Sequence, residues 1–358
     1  MTITTQQVEA SWKALTSWWT PQRSLFEDET ADPEDRDEIK RVLKVFASDR
    51  EANPAPSFVS GEHCTPKLVA EFVAGLAQRH KPKSLLDPAC GYGLLLATAA
   101  AASEAPILRG IEINIDIANR ASTIWGEALE LTKGEALFCL EEHDGEYDMI
   151  VSDPPLSLRL SESQLRALEH KTAGRDFSSA LILSCLKKLA PGGIAVFTVA
   201  PSFLLDRQKE AFLRHLHQAG FRISACLQVP SGTRHNTTIS TYAVVFEAGE
   251  QGQIFIGQLK DDTEHLRHLI NNLYRRKSKG DVSLGRLCDL SAFRSYDSFV
   301  AREQLDRLAR EWGWAPHHGS DVIKEYEVIR RRGASSSPAM DEESSSLFLK
   351  LIGKPQAS

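Results

Sequence analysis

From Pro66 onward the chain alternates short apolar runs with longer helical ones, and this alternation restricts the fold more than any other feature. Lys67 to His80 reads as an amphipathic helix, Ser84 to Pro88 as a strand and Leu94 to Ala102 as an alanine-rich helix. Ile107 to Ile113 reads as a strand and Ile115 to Leu129 as a helix, with another strand at Tyr147 to Ser152. Ser178 to Leu189 reads as a helix stopped by Pro191-Gly192-Gly193, Ile194 to Ala200 as a β-branched strand, and Lys209 to Gln218 as a helix closed by Gly220. Strand, helix and strand repeated in this way predict an α/β fold, a parallel sheet covered on both faces. Ile223 to Val229 and Ile239 to Phe246 have no helix between them, so they are expected to pair antiparallel. Gln253 to Leu259 suggests one more short strand.

The flanks read differently. Residues 1–55 form a helical region in which Trp12, Leu15, Trp18 and Trp19 make a stripe expected to be buried. Residues 56–260 form the alternating domain, and residues 261–333 a helical extension with helices over 261–279 and Phe299 to Trp312. The first of these helices ends in the basic run Arg275 to Lys279, read as a helix terminus offsetting its dipole or as a DNA-backbone contact. Residues 334–358 begin with a Ser-, Pro- and Glu-rich linker and end in an apolar run, Leu347 to Ile352, expected to dock on the body or to open a truncated recognition module.

Composition narrows the setting. No apolar run approaches the ~20 residues that span a bilayer, and no basic region precedes an apolar core at the N-terminus, so no membrane span or secretory signal is expected. The 6 cysteines lack any Cys-x-x-Cys pair and the 11 histidines form no ligand pattern, so no metal is expected and a reducing cytoplasm fits. A net charge of -6 argues against unaided nucleic-acid binding, because phosphate contacts supply much of that affinity.

Three motifs carry chemistry. Asp87-Pro88-Ala89-Cys90-Gly91-Tyr92-Gly93 follows the first strand, and its glycines let a ligand approach the backbone. Glu112, before Ile113 at the end of the next strand, lies roughly 20 residues further on, where a carboxylate can accept hydrogen bonds from ribose hydroxyls. Asp153-Pro154-Pro155-Leu156 follows the Tyr147–Ser152 strand. There a side-chain oxygen of Asp153 and the carbonyl of Pro154 can accept both N–H bonds of an amine conjugated to an aromatic ring, orienting the nitrogen for methyl transfer. The prolines fix φ and leave those carbonyls without an adjacent donor.

With these motifs in this order, residues from about Phe58 to Ala248 resemble the adenine-amino DNA methyltransferases, most closely the modification subunit of type I restriction systems. The resemblance implies the class I S-adenosylmethionine-dependent methyltransferase fold, a mostly parallel seven-stranded sheet with an antiparallel last strand and helices on both faces. Gly61, Thr65 and Pro66 are similar to a segment that lies against the methionine part of the cofactor. Gly134-Glu135-Ala136-Leu137 is similar to an element whose acid sits near the cofactor's adenine amine. Leu189 to Ser202 and Leu227 to Val245 follow the type I pattern, with Gln228-Val229 inserted before Pro230. Two departures stand out: Asp153 occupies a position where this subfamily usually has Asn, and Leu156 one where an aromatic ring stacks on the flipped base. Phe177, Tyr92 and Phe203 are candidate substitutes for that ring.

The resemblance implies S-adenosylmethionine as cofactor, DNA as partner, a separate specificity module or subunit, and an oligomer as one possible assembly. Two other functions compete with it. One is methyl transfer to RNA or to a protein amide; the other is a catalytically silent methyltransferase-like subunit.

Overall fold

A computed structural model describes residues 3–17, 65–105, 107–142, 144–156, 158–167, 175–205, 208–234 and 239–311. Helix α1 (Thr5–Ser17) precedes α2 (Lys67–His80), β1 (Ser84–Asp87), α3 (Leu94–Ser103) and β2 (Ile107–Glu112). Next come α4 (Ile115–Trp125), β3 (Glu130–Lys133), α5 (Ala136–Glu142), β4 (Tyr147–Ser152), α6 (Glu162–Ala167) and α7 (Phe177–Leu186). The series continues with β5 (Leu189–Val199), α8 (Pro201–Leu205), α9 (Gln208–Gln218), β6 (Phe221–Val229), β7 (Thr241–Ala248), β8 (Ile254–Gln258), α10 (Thr263–Tyr274), β9 (Arg286–Cys288) and α11 (Tyr296–Glu311).

The strands form one sheet in the order β3-β2-β1-β4-β5-β7-β6-β8-β9. Strands β1 to β5 run parallel to one another, and β7 runs antiparallel to both β5 and β6, as the missing helix between β6 and β7 requires. The expected seven strands are corrected to nine. Strand β8 adds parallel to β6, and β9 adds antiparallel to β8. The extra strands follow from the run Ile254-Phe255-Ile256, which is buried and has no polar face to give to water. Phe255 fits because Gly285 has no side chain; a Cβ there would collide with the ring.

Most sequence boundaries hold, with instructive exceptions. Pro191-Gly192-Gly193 does not stop a helix. Helix α7 ends at Leu186, and the three residues lie inside β5 at an irregularity in its pairing with β4. Gly193 lets that backbone close up, since a Cβ would meet the Asp148 carbonyl at 2.7 Å. Helix α4 ends early, at Gly126 with φ +55°, which frees residues for β3 and α5, neither of which the apolar pattern predicts. In the basic run, Arg276 turns inward: its guanidinium donates to the carbonyls of Ser224 (3.1 Å) and Gln253. It therefore braces β6 and the approach to β8.

The core lies on both sheet faces. Trp12 is buried, and its indole N–H donates to the Thr98 hydroxyl at 3.0 Å, docking α1 on α3. Trp18, Trp19, the linker at 334–346 and the run Leu347 to Ile352 fall outside the described residues. The chain divides into two units at Phe293/Arg294, so the sheet-bearing unit runs past residue 260. In the second unit, α11 starts three residues before its expected Phe299 and is capped by the Ser295 hydroxyl, which accepts from Ser298 N at 3.1 Å. Among the described residues no helix is long and apolar enough to cross a membrane.

Candidate active site

The sheet order reverses between β1 and β4, the position where open α/β sheets bind ligands beyond the strand ends. The glycine turn begins there. Gly91 and Gly93 adopt φ +54° and +77°, conformations that L side chains resist. A Cβ on Gly91 would meet nothing within 4 Å, so this backbone faces open space, while Gly93 is packed against the Trp125 indole. Cys90 stands behind the turn. Its amide donates to the Ile111 carbonyl at 3.0 Å, and its sulfur lies so near Gly110 that a Cβ there would be 2.7 Å away. Burial pushes the Cys90 thiol well above its ordinary range.

Glu112 ends β2 and ties the turn to the next helix. One carboxylate oxygen accepts from Gly91 N (2.8 Å) and the other from Asn114 N (2.8 Å). Asn114 in turn caps α4 through its side chain. Next to this acid Ile113 is 66% exposed, an apolar surface beside a hydrogen-bonding group. An open glycine backbone, a half-exposed carboxylate and an exposed apolar neighbour are the donor set a nucleoside needs.

Asp87 and Pro88 are buried, and Asp87 links the two halves of the site. Its Oδ1 accepts from Ala89 N (3.0 Å) and from the Ser152 hydroxyl (2.9 Å), joining the ends of β1 and β4. Burial raises its carboxyl to about 7, and the negative charges of Asp153 and Glu112 push it in the same direction.

Asp153 is enclosed and held by a cation. Arg234, in the β6–β7 connection, grips it with Nη1 on Oδ2 at 2.9 Å and Nη2 on Oδ1 at 2.5 Å. The Thr198 hydroxyl, near the end of β5, also donates to Oδ1. The arginine and aspartate side chains are 3% and 2% exposed. Pro154 is buried, and Pro155 and Leu156 are half-buried. None of the candidate rings is fully exposed. Tyr92 packs on the core, Phe177 is buried and Phe203 lies edge-on to Phe212 at 5.0 Å.

Half-buried Thr65 and buried Pro66 precede α2, and the Pro66 carbonyl accepts from Val69 N (2.9 Å) and Ala70 N (3.2 Å). Gly134 N donates to the Glu112 carbonyl at 3.0 Å, bringing the Glu135-Ala136 segment beside β2. The Glu135 carboxylate accepts from Phe138 N at 3.2 Å and so caps its own helix, while Ala136 is buried. Arg234, Thr198 and Ser152 bond to Asp153 and Asp87; the sequence includes them in longer stretches without singling them out. The one available signal was chemical: a buried carboxylate such as Asp153 calls for a cation.

The first seven strands of the order, the antiparallel β7, the glycine turn after β1 and the acids after β2 and β4 define a class I S-adenosylmethionine-dependent methyltransferase fold. The family model described as N-6 DNA Methylase matches residues 42–278, and the chain belongs to that family. A type I restriction-modification methyltransferase subunit from Streptococcus thermophilus superposes with a TM-score of 0.54 at 17% identity, covering 74% of this chain and 62% of that one. A chain of another type I system superposes with a TM-score of 0.57 at 16% identity, covering 86% and 74%. A tRNA1(Val) (adenine(37)-N6)-methyltransferase from Yersinia enterocolitica is 25% identical over 140 residues, 37% of this chain and 56% of that protein. This chain thus spans little more than half of that curated relative.

The family implies S-adenosylmethionine as cofactor, and the residues present fit it: the open Gly91 backbone, Glu112 and the exposed Ile113 suit an adenosine moiety.

Proposed function

We propose that this chain methylates the exocyclic amine of adenine in DNA, as a modification module working with a separate specificity module or subunit. One observation carries the reading: Ser152 and Asp87 join the end of β4 to the end of β1 at 2.9 Å, so the Asp153-Pro154 acceptor and the glycine turn share one sheet edge. On this reading Gly91, Glu112 and Ile113 hold the cofactor's adenosine, with Glu135 and Thr65-Pro66 flanking it. When bound, S-adenosylmethionine supplies an electrophilic methyl group on a sulfonium. The chain's part is to orient the nucleophile. Asp153 and the Pro154 carbonyl accept the amine's two N–H bonds, and the proline rings fix φ and hold this acceptor segment rigid. DNA affinity comes from the partner module, in keeping with the net charge of -6. The domain limits 1–55, 56–260, 261–333 and 334–358 belong to the same proposal.

The test is transfer of labelled methyl from S-adenosylmethionine to DNA, with RNA and protein as parallel acceptors. Label in adenine of DNA is expected. Label confined to RNA favours the second reading, which the tRNA-modifying relative supports. Cofactor binding without transfer to any acceptor favours a silent subunit, a reading supported by Leu156 and by the enclosure of Asp153.

A further inference from the structure

The Arg234–Asp153 pair has a specific shape that a chance buried ion pair need not have. An ionised carboxylate offers about four lone-pair positions. At Asp153 three are taken: Oδ1 accepts from Arg234 Nη2 and Thr198 Oγ1, and Oδ2 accepts from Arg234 Nη1. One position, on Oδ2, is left. The guanidinium cancels the carboxylate's charge and fixes its plane through two parallel bonds. The result is a rigid, net-neutral group that still has an acceptor lone pair to offer, as the carbonyl of an asparagine amide does. The arrangement also has a cost, because the Nε–H of Arg234 is buried without a partner among the described residues.

We propose that Arg234 is a positioning residue for methyl transfer: with Thr198 it converts Asp153 into the equivalent of the asparagine usual at this place, leaving Oδ2 to accept one N–H of the substrate amine. The assignment rests on the amine-methylating reading above and goes beyond it by naming what sets the acceptor's charge and orientation. It makes positions 153 and 234 exchangeable as a pair. Aspartate needs the arginine, and asparagine needs a neutral residue in its place.

The experiment measures kcat, KM and cofactor affinity for the wild type, Arg234→Met, Arg234→Lys, Asp153→Asn and the double variant Arg234→Met/Asp153→Asn, with DNA, RNA and protein acceptors. Arg234→Met is expected to lower kcat about 100-fold, the usual order for losing one oriented electrostatic contact, with cofactor affinity within about twofold, since no cofactor contact is assigned to it. Arg234→Lys keeps the charge without the fork and should fall between wild type and Arg234→Met. The double variant should recover at least about tenfold of the lost kcat, because the acceptor is again neutral and available. If Arg234→Met does not fold, the same comparison runs from Asp153→Asn, which leaves the cation half-paired, to the double variant. A faster Arg234→Met would identify the arginine as an inhibitory latch and overturn the proposal. A slow variant with no recovery in the double overturns it too, by reducing Arg234 to a structural support. A wild type that labels no acceptor instead overturns the amine-methylating reading and the role that rests on it.

Discussion

At the cofactor end of the sheet edge, Glu112 holds backbone amides from the two segments beside it and stands half-exposed. At the acceptor end, Asp153 holds side chains from the end of β5 and the β6–β7 connection and is sealed from solvent. The two carboxylates lie on neighbouring parts of one edge, yet one is bonded to neutral backbone amides and the other to a buried cation. The difference has a consequence for how each fails. A half-exposed carboxylate bonded to neutral backbone amides leaves no buried charge behind when it is removed. A group that compensates a buried cation does.

Truncation tests this contrast with the largest effect. Asp153→Ala strands the Arg234 guanidinium in the interior and is expected to cost about 3–5 kcal/mol of stability, as when a buried pair loses one partner. Glu112→Ala should cost about 1 kcal/mol. Urea midpoints of the two variants check it, and equal losses would erase the distinction. Asp153→Ala should also abolish methyl transfer.

The bridge between the two ends titrates, and this gives the next effect. Burial raises the Asp87 carboxyl to about 7 from an ordinary value of 3.8. A folded-state value above the unfolded one means that the protonated acid is favoured in the fold. Its stabilising contribution is complete below about pH 4 and is lost as the pH rises through 7. Asp87→Asn cannot ionise, so its stability relative to wild type should improve from pH 5 to pH 8 by a few kcal/mol, since each tenfold difference in proton affinity between folded and unfolded chains is worth about 1.4 kcal/mol. Paired denaturation curves at the two pH values check it; a constant difference would mean that the carboxylate is ionised throughout.

Two smaller effects sharpen the comparison. Glu112→Ala should weaken S-adenosylmethionine binding by about 1–3 kcal/mol, the range of a charge-assisted hydrogen bond. Calorimetry showing unchanged affinity would remove Glu112 from the cofactor site. Leu156→Phe should raise kcat/KM on DNA by about two- to fivefold, the worth of one aromatic contact beyond its area, near 0.5–1 kcal/mol. An unchanged rate would show that the missing ring does not limit the reaction.

The two ends also differ in what the sequence made legible. The glycine turn, Glu112 and Asp153-Pro154 are contiguous motifs at strand ends, and the periodicity of β1, β2 and β4 is enough to put them on one edge. Arg234 lies 81 residues from Asp153 in the chain. Their meeting depends on β7 inserting between β5 and β6, an order that no local pattern encodes. Strand β3 and helix α5 escaped for a related reason. Glu130–Lys133 is polar and α5 is only seven residues long, too brief for a period to show. Strand β9, three residues long, was beyond pattern reading, though the β8 run beside it was not. The basic run at 275–279 suggests a terminus or a DNA contact, but Arg276 serves strand carbonyls, a role visible only after folding.

The outermost strands carry a further consequence. Strand β3 has four residues, including Glu130 and Lys133, and β9 has three. A wide sheet bounded by long apolar strands would offer its unsatisfied amides and carbonyls to any neighbouring chain and would grow into fibrils or precipitate. Here both margins are too short, and one of them too charged, to act as a template. Among the described residues, the borders of the sheet therefore give a neighbouring chain little edge to pair with.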